Sequence, residues 1–274
     1  MAVSFPLEPE QQALLTPVGR LTTSRACWAG CAFCRLAIPS PRVSLPDAPP
    51  GLNLDRSPAG GIPWDTAAWL KLRGGLSLRE PFEYWLHIIR RIKACSDAPL
   101  TAFSPVEMWH FHTQERRPVR ELARLLKWAG ADFLGPGGSE LWITDLPPAW
   151  APYRITPSQW LTVAEAARAA DLAFSAGIVA APTKLTATAE ALAVLRDTQP
   201  HHLEVKPLVS DGTRLGGLGN ANVLHTAAFV RQLRQDLPEI PVYVDWHDDP
   251  ADTDTIFGSA GADRVLLPVW EVSP

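Results

Sequence analysis

Short apolar runs of strand character alternate with helical periods along most of this chain, and that alternation constrains the fold more than any other feature. The candidate strands are Leu21–Ala26, Ala67–Leu72, Leu100–Phe103, Asp132–Leu134, Ile178–Ala181, Leu203–Leu208, Val242–Asp245 and Arg264–Leu267. Between them apolar residues recur at helical spacing, as in Phe82, Trp85, Leu86, Ile89 and Ile92, and again in Val119, Leu122, Leu125 and Leu126. Thr156 followed by Pro157 is a helix start, a capping residue ahead of a proline at the first position, and that helix is expected to run to about Ser175. Two more are expected over about Ala187–Thr198 and Asn222–Gln235.

Eight strands with intervening helices predict an α/β fold, a (β/α)8 barrel of the TIM type. Its first unit is expected to be incomplete. The seven prolines at 39, 41, 46, 49, 50, 58 and 63 stand where the first helix would be, and proline breaks helices and central strands alike. A length of 274 residues with 46% apolar content suits one core, so residues 1–274 are expected to form a single domain. Within it, 1–19 reads as an amino-terminal extension and 36–64 as a proline-rich loop.

In a barrel of this kind the chemistry gathers at the carboxyl ends of the strands. The segment Cys27-Trp28-Ala29-Gly30-Cys31-Ala32-Phe33-Cys34 follows the first candidate strand, so it falls on that face. Its C-x3-C-x2-C spacing supplies one thiolate fewer than the four that close an iron–sulfur site. A structural zinc site would need a fourth ligand, and the nearest histidine, His87, lies more than fifty residues downstream. A disulfide scaffold is disfavoured, because only four cysteines occur and no secretory segment precedes the motif. The fourth, Cys95, reads as a structural or surface thiol at a helix end.

Other strand ends carry polar chemistry. Gly74 and Gly75 close the second strand and let the backbone approach a ligand. Glycines precede Ser139 and Glu140 at the end of the fourth, where Glu140 meets a ligand or merely sits in a solvated turn. Glu107 opens a helix after Ser104 and either holds a ligand or complements the helix dipole. Lys206 points toward the barrel mouth, to hold an anionic group or to pair with a carboxylate. Asp245 and His247 end the seventh strand as an acid–base pair or as a polar loop. The formal charge of −4 gives no support for a nucleic acid or a membrane surface as partner. No apolar run approaches the roughly 20 residues that span a bilayer, so a cytoplasmic setting is expected.

Cys27-x3-Cys31-x2-Cys34, with Phe33 before the last cysteine, resembles the signature of the radical S-adenosylmethionine superfamily. Gly74-Gly75-Leu76, Ala102-Phe103-Ser104-Pro105-Val106-Glu107, Pro136-Gly137-Gly138-Ser139-Glu140 and the Trp160-Leu161 helix start narrow the resemblance to its menaquinone and deazaflavin branch. That branch holds dehypoxanthine futalosine cyclase, aminofutalosine synthase and the deazaflavin-precursor synthases; Ser104-Pro105 favours the cyclase.

The resemblance implies a [4Fe-4S] cluster on Cys27, Cys31 and Cys34, with S-adenosylmethionine on its open iron. It further implies Phe33, Gly74, Gly75, Ser139 and Glu140 as cofactor contacts, and Ser104, Glu107, Thr183 and Lys206 as substrate contacts. Glu140 and Asp245 take the catalytic roles, on a small polar substrate, with an external one-electron donor of flavodoxin or ferredoxin type. The chain departs from the branch at Ser77-Leu78, at Arg25, at Ala181-Pro182-Thr183-Lys184 and in its short amino terminus. Those departures leave open a barrel that binds without turnover. A zinc-stabilised hydrolase using Asp245 and His247 is a third reading.

Overall fold

The computed structural model describes residues 13–37, 52, 54, 61–76, 80–140, 142–143, 147–151, 154–182, 187–247 and 252–272. Eight parallel strands close a barrel in chain order: β1 (Leu14–Thr22), β2 (Trp69–Arg73), β3 (Leu100–Ala102), β4 (Phe133–Leu134), β5 (Ala173–Ala180), β6 (His202–Pro207), β7 (Val242–Asp245) and β8 (Arg264–Val272). The helices are α1 (Phe82–Cys95), α2 (Pro105–Glu115), α3 (Val119–Ala129), α4 (Pro157–Ala169), α5 (Ala189–Thr198), α6 (Val223–Asp236) and α7 (Thr253–Ser259).

Local chemistry sets these limits. Thr156 caps α4 by accepting from the Gln159 N–H at 3.3 Å, while the Gln159 side chain accepts from the Thr156 N–H at 2.9 Å. Ser104, Thr188 and Asn222 cap α2, α5 and α6 in the same way. α1 buries Phe82, Trp85, Leu86, Ile88, Ile89 and Ile92, and each such side chain contributes about 1.5–3 kcal/mol of transfer free energy before its ordering cost.

Strand side chains alternate between the helices and the barrel interior. In β2 the inward set is Trp69, Lys71 and Arg73; in β6 it is His202, Glu204 and Lys206; in β7 it is Tyr243 and Asp245. The amino-terminal end is plugged by rings, with Trp69 against Phe133 and Tyr243, and His202 stacked on Tyr243 at 4.2 Å. Burial holds the His202 ring at a pKa of about 3, so it serves that plug as a neutral ring.

Two boundaries differ from the sequence expectation. β1 begins at Leu14 and has ended by Thr23, so residues 14–19 are barrel wall rather than extension. Val18 and Arg20 supply its inward face, and beyond it Ser24 leaves the ladder to bond the backbone of Ala26. α4 stops at Ala169 and β5 starts at Ala173, because the alanine-rich sequence carries helical propensity past the point where Phe174 and Ser175 pair with β4 and β6.

Most of the proline-rich loop expected over 36–64 lies outside the described residues. Among the described residues only a 3-10 turn at Trp64–Thr66 separates β1 from β2. Trp270 of β8 lies over Gly19, where a Cβ would collide with the indole, and Trp64 meets Trp270 edge-on at 5.8 Å. Indole rings thus cover a stretch of wall that a helix covers elsewhere in the barrel.

Candidate functional site

The cysteine loop leaves β1 at the carboxyl end of the barrel. The Cys27 N–H donates to the Leu36 carbonyl at 2.7 Å and the Cys34 N–H to the Cys31 carbonyl at 3.1 Å, while Gly30 takes a φ of +64°. The Ala32 N–H reaches the Trp150 carbonyl at 2.5 Å, and Arg214, from the loop after β6, donates to the Gly30 carbonyl. All three thiols are free. Around them pack Trp28, Ala29, Phe33, Leu76, Val106, Ala151, Val179, Ala181 and Leu208.

Burial pushes the Cys31 thiol up to about 12, and the neighbouring Cys27 and Cys34 add to the shift while Arg154 opposes it. Burial raises Cys27 as well. Cys27 and Cys34 both bear electrostatically on Cys31, and Cys34 bears on Cys27. Among the described residues, no three His, Cys, Asp or Glu side chains are gathered around a point that a single metal ion would occupy.

Gly74 and Gly75 brace this loop. A Cβ on Gly75 would overlap the Ala26 carbonyl, one on Gly74 would overlap Thr23 and Ser24, and the Gly75 N–H donates to the Ser24 carbonyl at 2.7 Å. Their small size is spent on the cysteine loop itself. Behind them Glu107 accepts from the Gly74 N–H at 3.3 Å and from the Ser104 hydroxyl at 2.8 Å. Burial raises the Glu107 carboxyl to about 7 against those two bonds. Ser104 thus caps α2, and Glu107 holds the glycine turn.

The β4 end also turns inward. Ser139 is fully buried, donates to the Gly177 carbonyl and accepts from the Gly177 N–H, both at 2.9 Å, and so ties β4 to β5. Glu140 accepts from the Gly138 N–H at 2.7 Å and pairs with Arg154 at 2.8 Å. The Arg154 guanidinium lies 5.4 Å from the Phe33 ring centroid, and its Nε and Nη1 are buried with no hydrogen-bond partner. Those orphaned donors beside three thiols suit a negatively charged group, as a thiolate-held iron–sulfur cluster with its ligand would be. Arg154 was missed in the sequence because it stands in a loop outside the strand ends.

Below this layer the barrel holds an ion-pair network. Arg20 donates to Asp245 at 2.5 Å; Lys71 contacts Glu204 at 2.7 Å and Asp245 at 3.5 Å. Arg73 reaches Asp245 at 3.3 Å and Glu204 at 4.0 Å, and Lys206 reaches Glu204 at 3.4 Å. Asp245 has no exposed surface, and both its oxygens are engaged by cations. Burial alone would raise its carboxyl, yet Lys71, Arg20 and Arg73 together hold it well below the usual range. The His247 Nδ1 stands 3.0 Å from Arg20, which assigns it the acceptor role and leaves the ring proton on Nε2. Thr183 lies outside the described residues.

No family model matches the chain. It is 24% identical over 159 residues to aminodeoxyfutalosine synthase of Thermus thermophilus, a match covering 53% of this chain and 38% of that protein. The chain thus matches well under half the length of that relative. Methylornithine synthase (PylB) superposes over 93% of this chain and 73% of its own, with a TM-score of 0.64 at 16% identity. HydG, a maturase of the [FeFe]-hydrogenase, does so over 94% and 58%, at 0.60 and 12%. The tryptophan synthase α-subunit of Pyrococcus furiosus also superposes, over 94% and 88%, at 0.53 and 14%, so the barrel by itself does not select a chemistry. The chain is thus similar in sequence to aminodeoxyfutalosine synthase over about half its length, and its likeness to the solved structures shows the barrel fold.

Proposed function

We propose that this protein is a radical S-adenosylmethionine enzyme acting on a small polar substrate. The observation that carries the reading is the cysteine loop with Arg154: three free, mutually interacting thiols in an apolar shell, beside a buried guanidinium with two unused donors.

Cys27, Cys31 and Cys34 would hold a [4Fe-4S] cluster. With S-adenosylmethionine bound and one electron from an external donor, that pair supplies a 5′-deoxyadenosyl radical. The chain's own part is to prepare the place. Trp28, Phe33, Leu76 and Val106 exclude water from the thiols. Glu140 fixes Arg154, whose Nε and Nη1 are then available to a carboxylate or to the negative cluster. Glu107 and the two glycines brace the start of the cysteine loop. Thiols raised by burial give up their protons on loading, so iron uptake releases protons and strengthens with pH.

The relative is a synthase of the futalosine route, which supports a menaquinone-related reaction on the synthase side of the branch over the cyclase that Ser104-Pro105 favoured. Anaerobic reconstitution with iron and sulfide, followed by reduction in the presence of S-adenosylmethionine, tests the assignment. A brown protein that releases 5′-deoxyadenosine is expected; a colourless protein retaining one zinc would overturn it.

A further inference from the structure

The four cations of the barrel interior do not share their two carboxylates evenly. Lys71 and Arg20, with side chains 2% and 11% exposed, make the short contacts of 2.7 and 2.5 Å. Arg73 and Lys206, 31% and 22% exposed, are held further off. Both converge on a single oxygen, Glu204 Oε1, at 4.0 and 3.4 Å, and that oxygen accepts no hydrogen bond. The Lys206 ammonium makes no hydrogen bond among the described residues, and the Arg73 guanidinium makes one, to Asp245 at 3.3 Å. Two further carboxylates act on Arg73, but they face elsewhere: Glu107 toward Gly74 and Ser104, Glu271 toward Thr22 in an exposed position.

The inner cations make the short contacts to the carboxylates, while the outer two approach one Glu204 oxygen only at ion-pair distance and keep donors unused. A network that served packing alone would have no use for them, since each extra charge in a partly dry interior costs free energy unless something neutralises it. Arginine offers a planar fork of N–H groups and lysine a mobile point charge, a pairing suited to an oxyanion. The Arg73 backbone runs straight into Gly74 and Gly75, which touch the cysteine loop, so an oxyanion held there stands near the thiols.

We propose that Arg73 and Lys206 form an oxyanion subsite at the barrel mouth, which receives a carboxylate or phosphate carried by the substrate. The subsite deepens the function proposed above, yet it is built from permanent charges and so exists without a cluster. Its test accordingly uses cluster-free protein. Succinate, inorganic phosphate and the neutral succinamide are titrated at low ionic strength against the unaltered chain, Arg73→Gln, Lys206→Gln and Lys206→Arg, with binding read as the rise in thermal midpoint.

Succinate, phosphate or both are expected to bind the unaltered chain, and which of them binds distinguishes the two sources of the oxyanion. Succinamide is expected to leave the midpoint unchanged. Each glutamine variant is expected to weaken anion binding at least about tenfold, the loss of one charge-assisted contact, and Lys206→Arg to restore it. Anion binding that is equal in all four proteins, or absent from the unaltered chain up to tens of millimolar, roughly the weakest affinity such a contact gives, overturns the subsite. Failure to take up iron would overturn the cluster and leave this result standing.

Discussion

The cysteine loop and the ion-pair layer beneath it lie at the same end of the barrel and treat charge in opposite ways. In the loop, burial raises the Cys27 and Cys31 thiols, the latter to about 12, so their negative charge is latent. In the layer below, Asp245 is held ionised by three cations, so its charge is permanent. The difference separates a loop whose charge is latent from a frame that is finished when the chain folds. Glu107 belongs to neither group: it sits beside Arg73 electrostatically, touches the glycine turn, and has a carboxyl near 7.

The largest expected effect breaks the latent side alone. Cys31→Ala should abolish iron and sulfide uptake while leaving the far-ultraviolet circular dichroism unchanged, as metal analysis of the reconstituted variant will report. Next comes the permanent side. Asp245→Ala leaves the buried Arg20 without its carboxylate and Lys71 with Glu204 alone, and should cost about 3–5 kcal/mol in urea unfolding. Because the folded pKa of Asp245 is depressed, its contribution is present above the unfolded value of about 3.9 and is lost as pH falls below it. Asp245→Asn should therefore flatten the acid limb of the stability profile; an unchanged limb would remove Asp245 from the frame.

Glu107 reverses that sign. Its folded pKa is raised from the ordinary 4.5 to about 7, so ionisation opposes folding, and stability declines as pH climbs from 4.5 through 7. Glu107→Gln should be more stable than the parent at pH 8 by on the order of 2 kcal/mol, and should lose most of that advantage at pH 4. Urea titrations at the two pH values decide it. The smallest effect is Ser104→Ala, which removes the α2 cap and one bond to Glu107 and should cost about 1 kcal/mol at neutral pH.

The sequence made the barrel legible because apolar period and caps agree in most units: Thr156-Pro157, Asn222 and the strand at Val242–Asp245 stand where they were expected. It misplaced β1 because a strand with Arg20 and Thr22 on its inner face lacks the apolar run that marks a buried strand. That slip also hid Arg20. Lys71 and Arg73 escaped for a related reason: the period of two was applied to find strands, not to ask which residues shared the inside. Lys206 was read correctly as inward-facing, and its carboxylate partner proved to be its own strand neighbour, Glu204. Ser139 and Glu107 show the opposite failure, since a polar residue at a strand end looks the same in sequence whether it faces a ligand or ties two loops together.

The Arg20–Asp245 pair joins positions 225 residues apart, from the first strand to the seventh. Until β7 docks, β1 and β2 bring Arg20, Lys71 and Arg73 together with only Glu204 to oppose them, and their mutual repulsion works against a barrel that lacks its last wall. Long-range closure of this kind is slow to form. A barrel lacking β7 leaves three cations facing Glu204 alone, so the ion pair favours a complete wall over a truncated one.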